Sequence, residues 1–499
     1  MSFELLAIIT LIVFAFGNLF VGVTNDAVNF LNSAIGARVA PRHVIIGMAA
    51  IGIIIGTTFS DGIIEVARKG IFFPEMFTSH EAIILFVSVA LTDMILLDLY
   101  STFGLPTSTT VSIVFELLGG AFILGFWKMG GLDGAWEVIN TVSAMRIIVG
   151  ILFSIAVAFT FGLLVQFVSR LFFTFDYKHQ LNKWGFIWCG IALTVLMFFI
   201  LIKGSKHATF MTEDLKLWIQ TSTNIVLMGS FVLFTIISFV LIKLKFNILK
   251  WIVLIGTMSL AMAFAGNDLA NFIGVSVGGV HAFLGSDLAS TLKTPTWVVV
   301  LAGLVMSFAI FKSKKAKSVT NTGVALASHG KEVTNQWKAT TFTRRLSRMT
   351  IWIFDSIVSI TPDFIENWIA SRWHQTAESK DGNDFDLIRA SVNLMVAAAV
   401  ISYATSYKLP LSTTYVTFMV AMGTSLADKA WSPECAPARI NGVITVIGGW
   451  FVTAILAFGM CAITTSIIYF AKTPGLIALI CFVIFVMYNL HHMHQKKYG

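Results

Sequence analysis

The chain has 499 residues, of which 57% are hydrophobic and only 12% charged, with a formal net charge of +8. Soluble domains carry about 25% charged residues, so this composition excludes an ordinary water-soluble globular protein. The positive excess reads as loop charge that orients the chain in a lipid bilayer, not as a nucleic-acid surface, and no nucleic-acid partner is expected.

Apolar windows near the length needed to cross a bilayer recur along the chain, for example 44–57, 82–100, 147–171, 225–242 and 440–470. They predict an all-α polytopic membrane protein of about 12 spans. The start, 1–10, lacks a basic region before its apolar run and does not read as a cleavable signal.

The first anomaly is TNDAVNF, residues 24–30. An ionisable side chain at the centre of a bilayer costs roughly 2.5 kcal/mol or more on insertion scales. On a helix Asn25 and Asn29 are i and i+4, and Asp26 and Asn29 are i and i+3, so the three side chains are expected to converge. One carboxylate with amide oxygens suits a hard cation such as Na⁺; the bland alternative is a set of interhelical hydrogen bonds. Acids follow at Asp61 and Glu65, which by themselves read as a solvated loop end.

GLPTSTT, residues 104–110, comes next. Proline breaks a helix and removes a backbone donor. Thr107, Ser108, Thr109 and Thr110 then begin a new helix, which predicts the tip of a re-entrant hairpin. Irregular backbone at membrane depth is tolerated only when buried or lining a cavity. Free N–H groups, a positive helix end and hydroxyls make an anion site without a lysine. Glu116, a little further on, is a candidate gate or coupling residue.

Both motifs recur in the same order. Asn267, Asp268 and Asn271 lie in GNDLANF (266–272), and Ser412, Thr413 and Thr414 in KLPLSTT (408–414). Internal duplication is a common way to build a transporter. Between them lies 312–386, basic in its first part and mixed aromatic and acidic later. It is expected to be a cytoplasmic loop containing a surface-lying amphipathic helix. Charge counting then runs the first Asn-Asp segment inward, toward Arg38 and Arg42, and the second outward, from Lys243, Lys245 and Lys250. The halves are therefore expected to be inverted repeats: 1–171 as the first repeat, 172–250 as linking spans, 251–311 and 387–470 as the two parts of the second, and 471–499 as a last span with a basic tail. The four cysteines have no metal or redox spacing, and the His491, His492 and His494 tail reads as a solvated end.

Two anion-binding helix starts with two carboxylate sites imply coupled transport of an anion with cations. A compact tetrahedral oxyanion, phosphate or sulfate, fits the many donors. An anion beside two aspartates is repelled unless cations intervene, and two acids among neutral oxygens suit Na⁺ better than H⁺. A channel or a phosphate-sensing receptor is the competing class. No HExxH or GxSxG motif sits on a span, so no enzyme is expected.

The duplicated Asn-Asp-x-x-Asn and Pro-x-Ser-Thr-Thr motifs resemble those of the inorganic phosphate transporter (PiT) family of phosphate symporters. The likeness covers most of the chain outside 312–386. VTNDAVNFLNSAIGA and AGNDLANFIGV are similar to its G-A-N-D-V-A-N-A segments, and PTSTTVS to its P-V-S-T-T-H; EVARKGI (65–71) has a counterpart too. Departures are Val111 for His, Tyr415 for Gln, Phe30 and Phe272 for Ala, and Phe115 and Glu116 where glycines are usual. The resemblance implies phosphate as substrate and Na⁺ or H⁺ as driver, with no resident cofactor. Phosphate would sit on residues 107–110, 412–414, Asn29 and Asn271, and cations on Asn25, Asp26, Asn267 and Asp268, with sodium at the two aspartates. It also implies a gate, ion-access or coupling role for Glu65, with Asp61 beside it, and a homodimer in the cell membrane.

Overall fold

The computed structural model describes residues 2–58, 70–205, 212, 214, 217–218, 221–285, 295–328, 337–358, 362–373, 384–406, 411–431 and 434–498. Its regular structure is helical throughout: α1 (Phe3–Asp26), α2 (Val28–Gly36), α3 (Arg42–Thr58), α4 (Ser79–Phe103), α5 (Thr109–Met129), α6 (Leu132–Glu137), α7 (Thr141–Phe172), α8 (Lys178–Ser205), α9 (Thr223–Lys243), α10 (Ile248–Phe283), α11 (Thr296–Lys312), α12 (Lys314–Ala327), α13 (Thr341–Val358), α14 (Asp363–Arg372), α15 (Leu387–Ser406), α16 (Thr413–Ala427) and α17 (Ala436–Tyr498). Among the described residues nine helices are long and apolar enough to cross a membrane, or ten if the bent pair α11–α12 is one span. One of the nine, α17, is two helices joined at Lys472, whose φ is 48°, just before Pro474.

Local chemistry sets the breaks that matter. A capping box between Thr78 and Glu81 starts α4, and Gly104 ends it in the left-handed conformation at φ 71°. Ser108 then caps α5 by accepting from the Val111 N–H at 3.3 Å. Ser412 caps α16 in the same way, accepting from Tyr415 N–H at 3.2 Å. Residues 407–410, including Pro410, lie outside the described residues. The α4–α5 hairpin and its counterpart α15–α16 therefore both restart a helix on a serine.

Lipid-facing and inward-facing helices differ plainly. On α9, Ile225 and Met228 are 66% and 72% exposed, as suits a face solvated by hydrocarbon. The helices α1 and α10, by contrast, carry their motifs in the middle of the bundle. Leu11 lies against Gly279 and Gly22 against Phe272, and just past the end of α1, Phe30 of α2 lies against Phe264. As the residue number rises in one helix it falls in the other, so the two motif helices pass each other antiparallel.

The expected loop 312–386 is not a loop at its start. α12 bends 72° away from α11 and buries Ala316, Val319, Thr320, Val324, Leu326 and Ala327. Its Lys315 reaches Asp98 of α4 at 2.6 Å. Counting lysines hid this apolar stripe. Further on, α13 and α14 are helical.

Candidate functional site

The two restarted helices meet. Ser412 donates from its Oγ to Ser108 Oγ at 2.7 Å, so the N-termini of α5 and α16 face each other inside the bundle. Ser108, Thr109, Ser412, Thr413 and Thr414 are all buried; Thr110 is half-buried. α17 braces both tips. Trp450 Nε1 donates to Pro106 O at 3.1 Å, and its ring stacks on Tyr415 with centroids 3.8 Å apart.

The Asn-Asp motifs reach across to the opposite hairpin. Asn29 Nδ2 donates to Thr414 Oγ1 at 3.0 Å, and Asn271 Nδ2 donates to Thr110 Oγ1 at 3.1 Å. Thr110 and Thr414 hold the same place in the two Ser-Thr-Thr runs, as Asn29 and Asn271 do in the two Asn-Asp motifs. The hydroxyls answer in kind: Thr414 donates to Asp26 Oδ1 at 3.0 Å, and Thr413 to Asp268 Oδ2 at 3.2 Å. Each asparagine also holds its own aspartate, Asn29 Nδ2 to Asp26 Oδ1 at 3.3 Å and Asn271 Nδ2 to Asp268 Oδ1 at 2.9 Å. Asp26 is fully buried, and its Oδ2 has no hydrogen-bond partner.

Asn25 does not join this set, although helical spacing predicts it. Its Nδ2 donates to Ser101 Oγ at 3.2 Å and to Leu105 O at 3.1 Å, and its Oδ1 accepts from Thr107 N–H at 2.8 Å. The break at 104–107 orphans backbone groups that must be paired when buried, and Asn25 pairs two of them. Thr107 Oγ1 turns away as well, to Thr453 Oγ1 at 2.9 Å. The side chain of Asn267, and Asp61 and Glu65, lie outside the described residues. Glu116 is buried on α5, about 9 Å along the helix from Thr110 at 1.5 Å per residue.

Sequence reasoning missed Thr417, which donates to Asn29 Oδ1 at 3.2 Å, along with Ser101 and Thr453. Thr417 sits one turn past Thr413 and Thr414, so extending the Ser-Thr-Thr run by a helical turn would have found it. The departures Phe30 and Phe272 pack on either side of Phe264, at 5.4 and 6.2 Å between centroids. They fill the space behind the motifs and leave the polar set intact.

Chemically, this is a buried, paired arrangement: two carboxylates, two primary amides and two sets of hydroxyls at facing helix N-termini. Such a set can hold an anion on its donors and small cations on its carboxylates. With the membrane-capable helices around it, it belongs to an integral, multi-pass membrane protein.

A model of the phosphate transporter family matches residues 22–312, more than half of the chain, and the chain belongs to that family. Two archaeal proteins, each bearing the name "Putative phosphate permease", are similar to it. The one from Thermococcus kodakarensis is 26% identical over 345 residues, 63% of this chain and 79% of its own. The one from Pyrococcus horikoshii is 26% identical over 340 residues, with the same two shares. A solved structure, "The sodium-dependent phosphate transporter", superposes with a TM-score of 0.64 at 18% identity, covering 93% of this chain and 99% of that chain. That likeness shows the fold.

Proposed function

We propose that the chain is a secondary active transporter that carries inorganic phosphate across the cell membrane, driven by Na⁺. The observation that supports this most is the reciprocal crossing: Asn29 to Thr414 and Asn271 to Thr110, around the Ser108–Ser412 contact. A tetrahedral anion between the two helix starts would meet donors from both halves at once. The halves act as inverted repeats, and rocking one against the other exposes this point to either side in turn.

The coupling follows from who holds the hydroxyls. Thr414 and Thr413 donate to Asp26 and Asp268. A Na⁺ on each carboxylate takes over that role, with the threonine and asparagine oxygens as neutral co-ligands. The O–H groups are then free to turn to phosphate. The cations also remove a repulsion: two like charges about 4 Å apart at an effective dielectric of 20 repel by about 4 kcal/mol. Na⁺ and phosphate thus each make the site better for the other, which is the requirement for symport. Asn25 braces the first tip.

A hydrogen bond to a charged group contributes about 1.5–3 kcal/mol, and about 1.4 kcal/mol is tenfold in affinity. Thr109→Val and Thr413→Val should therefore each weaken phosphate binding by roughly 10- to 100-fold. Calorimetry on the purified variants in Na⁺ measures this. Wild-type affinity in both variants contradicts the anion site, while sulfate binding as tightly as phosphate would replace the substrate.

A further inference from the structure

The α4–α5 hairpin carries three buried acids that the facing tips do not use; Asp98 is taken by Lys315 of α12, which leaves Asp93 and Glu116. Asp93 on α4 is 1% exposed and Glu116 on α5 is 0% exposed. Ser112, one turn before Glu116, donates to Glu116 Oε1 at 2.8 Å and faces the Asp93 carboxylate. Both oxygens of Asp93 and the Oε2 of Glu116 have no hydrogen-bond partner. Thr92 and Thr464 close one side of this position with a 3.1 Å hydroxyl contact, and Cys461 of α17 is the other titratable group that faces Glu116. The helices α1, α10, α12 and α17 pack on α4; α12 brings Lys315 to Asp98, and among the described residues no lysine, arginine or histidine acts on Asp93 or Glu116.

Two adjacent carboxylates with no counter-charge, inside a bilayer-embedded bundle, cannot both stay ionised. Three acceptor oxygens without donors call for a donor, and a proton held on one of the two carboxylates supplies it. We propose that Asp93 and Glu116 together form a proton-binding site, separate from the tips, whose loading makes transport respond to pH. Loading forms one O–H bond on a carboxylate with a proton taken from water, and no electrons move. The site rides on the arm that ends in the first tip. Gaining or losing the proton changes the packing of α4 against α5, and so the seat of Ser108, Thr109 and Thr110. This effect on transport rests on the transporter reading above; the proton site itself does not.

The test has two arms on the full-length protein in lipid. Infrared difference spectra across a pH titration should show the carbonyl band of a buried carboxylic acid, lost in Asp93→Asn/Glu116→Gln. Phosphate uptake at fixed Na⁺, corrected for the mono- and dianion fractions of phosphate, should change severalfold with pH in the wild type and follow a flat profile in that double variant. If the double variant does not fold, Ser112→Ala keeps both acids and should move the infrared midpoint. The proposal is overturned if the band survives the double substitution, if the band responds to Na⁺ instead of pH, or if the pH profile is unchanged. A wild type without phosphate uptake counts against the transporter reading alone, and the infrared band still decides whether the pair binds a proton.

Discussion

Asp26 has one oxygen held by Thr414 and Asn29 and one held by nothing. On the proposed reading, Na⁺ would bind at Oδ2. Asp26→Asn and Asp268→Asn keep the shape and remove the charge, so each should abolish Na⁺-driven phosphate uptake while the protein still elutes as a folded species. Driven uptake at wild-type rate in both variants contradicts the cation assignment. Asn25 makes a different prediction. Asn25→Ala leaves Leu105 O and Thr107 N–H buried without partners, at about 1–3 kcal/mol each; the variant should melt at lower temperature, as thermal unfolding in detergent will read. At this scale the motifs were legible because spacing fixes which side chains share a helix face. The turn of Asn25 toward the hairpin was not, because the demand comes from backbone 80 residues away. Ser101 and Thr453 were invisible for the same reason: each is an ordinary hydroxyl on an apolar helix until its tertiary partner is known.

The hairpins depend on close backbone approach at matching positions. Gly119 and Gly423 each lie eleven residues after the serine that caps their helix. A Cβ at Gly119 would collide with Phe458 O, and one at Gly423 with Phe159 O. Overpacking of this kind costs about 1–3 kcal/mol. Gly119→Ala and Gly423→Ala should therefore both lower the unfolding temperature, whereas Gly459→Ala, where a Cβ meets nothing within 4 Å, should not. Pro106 and Gly104 announced the first break in the sequence, since one cannot continue a helix and the other takes the left-handed turn. α12 was hidden because its lysines dominate a charge count, while its buried stripe is short and mostly Ala and Val.

In the whole molecule, a buried charge network ties distant segments together. Arg170 of α7 reaches Asp428 at 2.8 Å and Asp386 at 2.7 Å, Arg389 donates to Ala327 O, and Arg439 donates to Leu326 O. The end of α12 is thus held by guanidinium groups from α15 and α17. Topology can be tested across the whole chain. With Cys481→Ser as background, Ala40→Cys and Leu284→Cys should label from opposite faces of sealed vesicles, with an impermeant thiol reagent outside reaching only residue 284. Labelling from one face contradicts the inverted arrangement. The central claim, Na⁺-driven carriage of phosphate by the crossed site, is tested most directly by radiolabelled phosphate uptake into proteoliposomes. Accumulation above the external level under an inward Na⁺ gradient, lost in Asp26→Asn, is the expected result. Uptake that is the same with and without the Na⁺ gradient, or that survives Asp26→Asn intact, would contradict it.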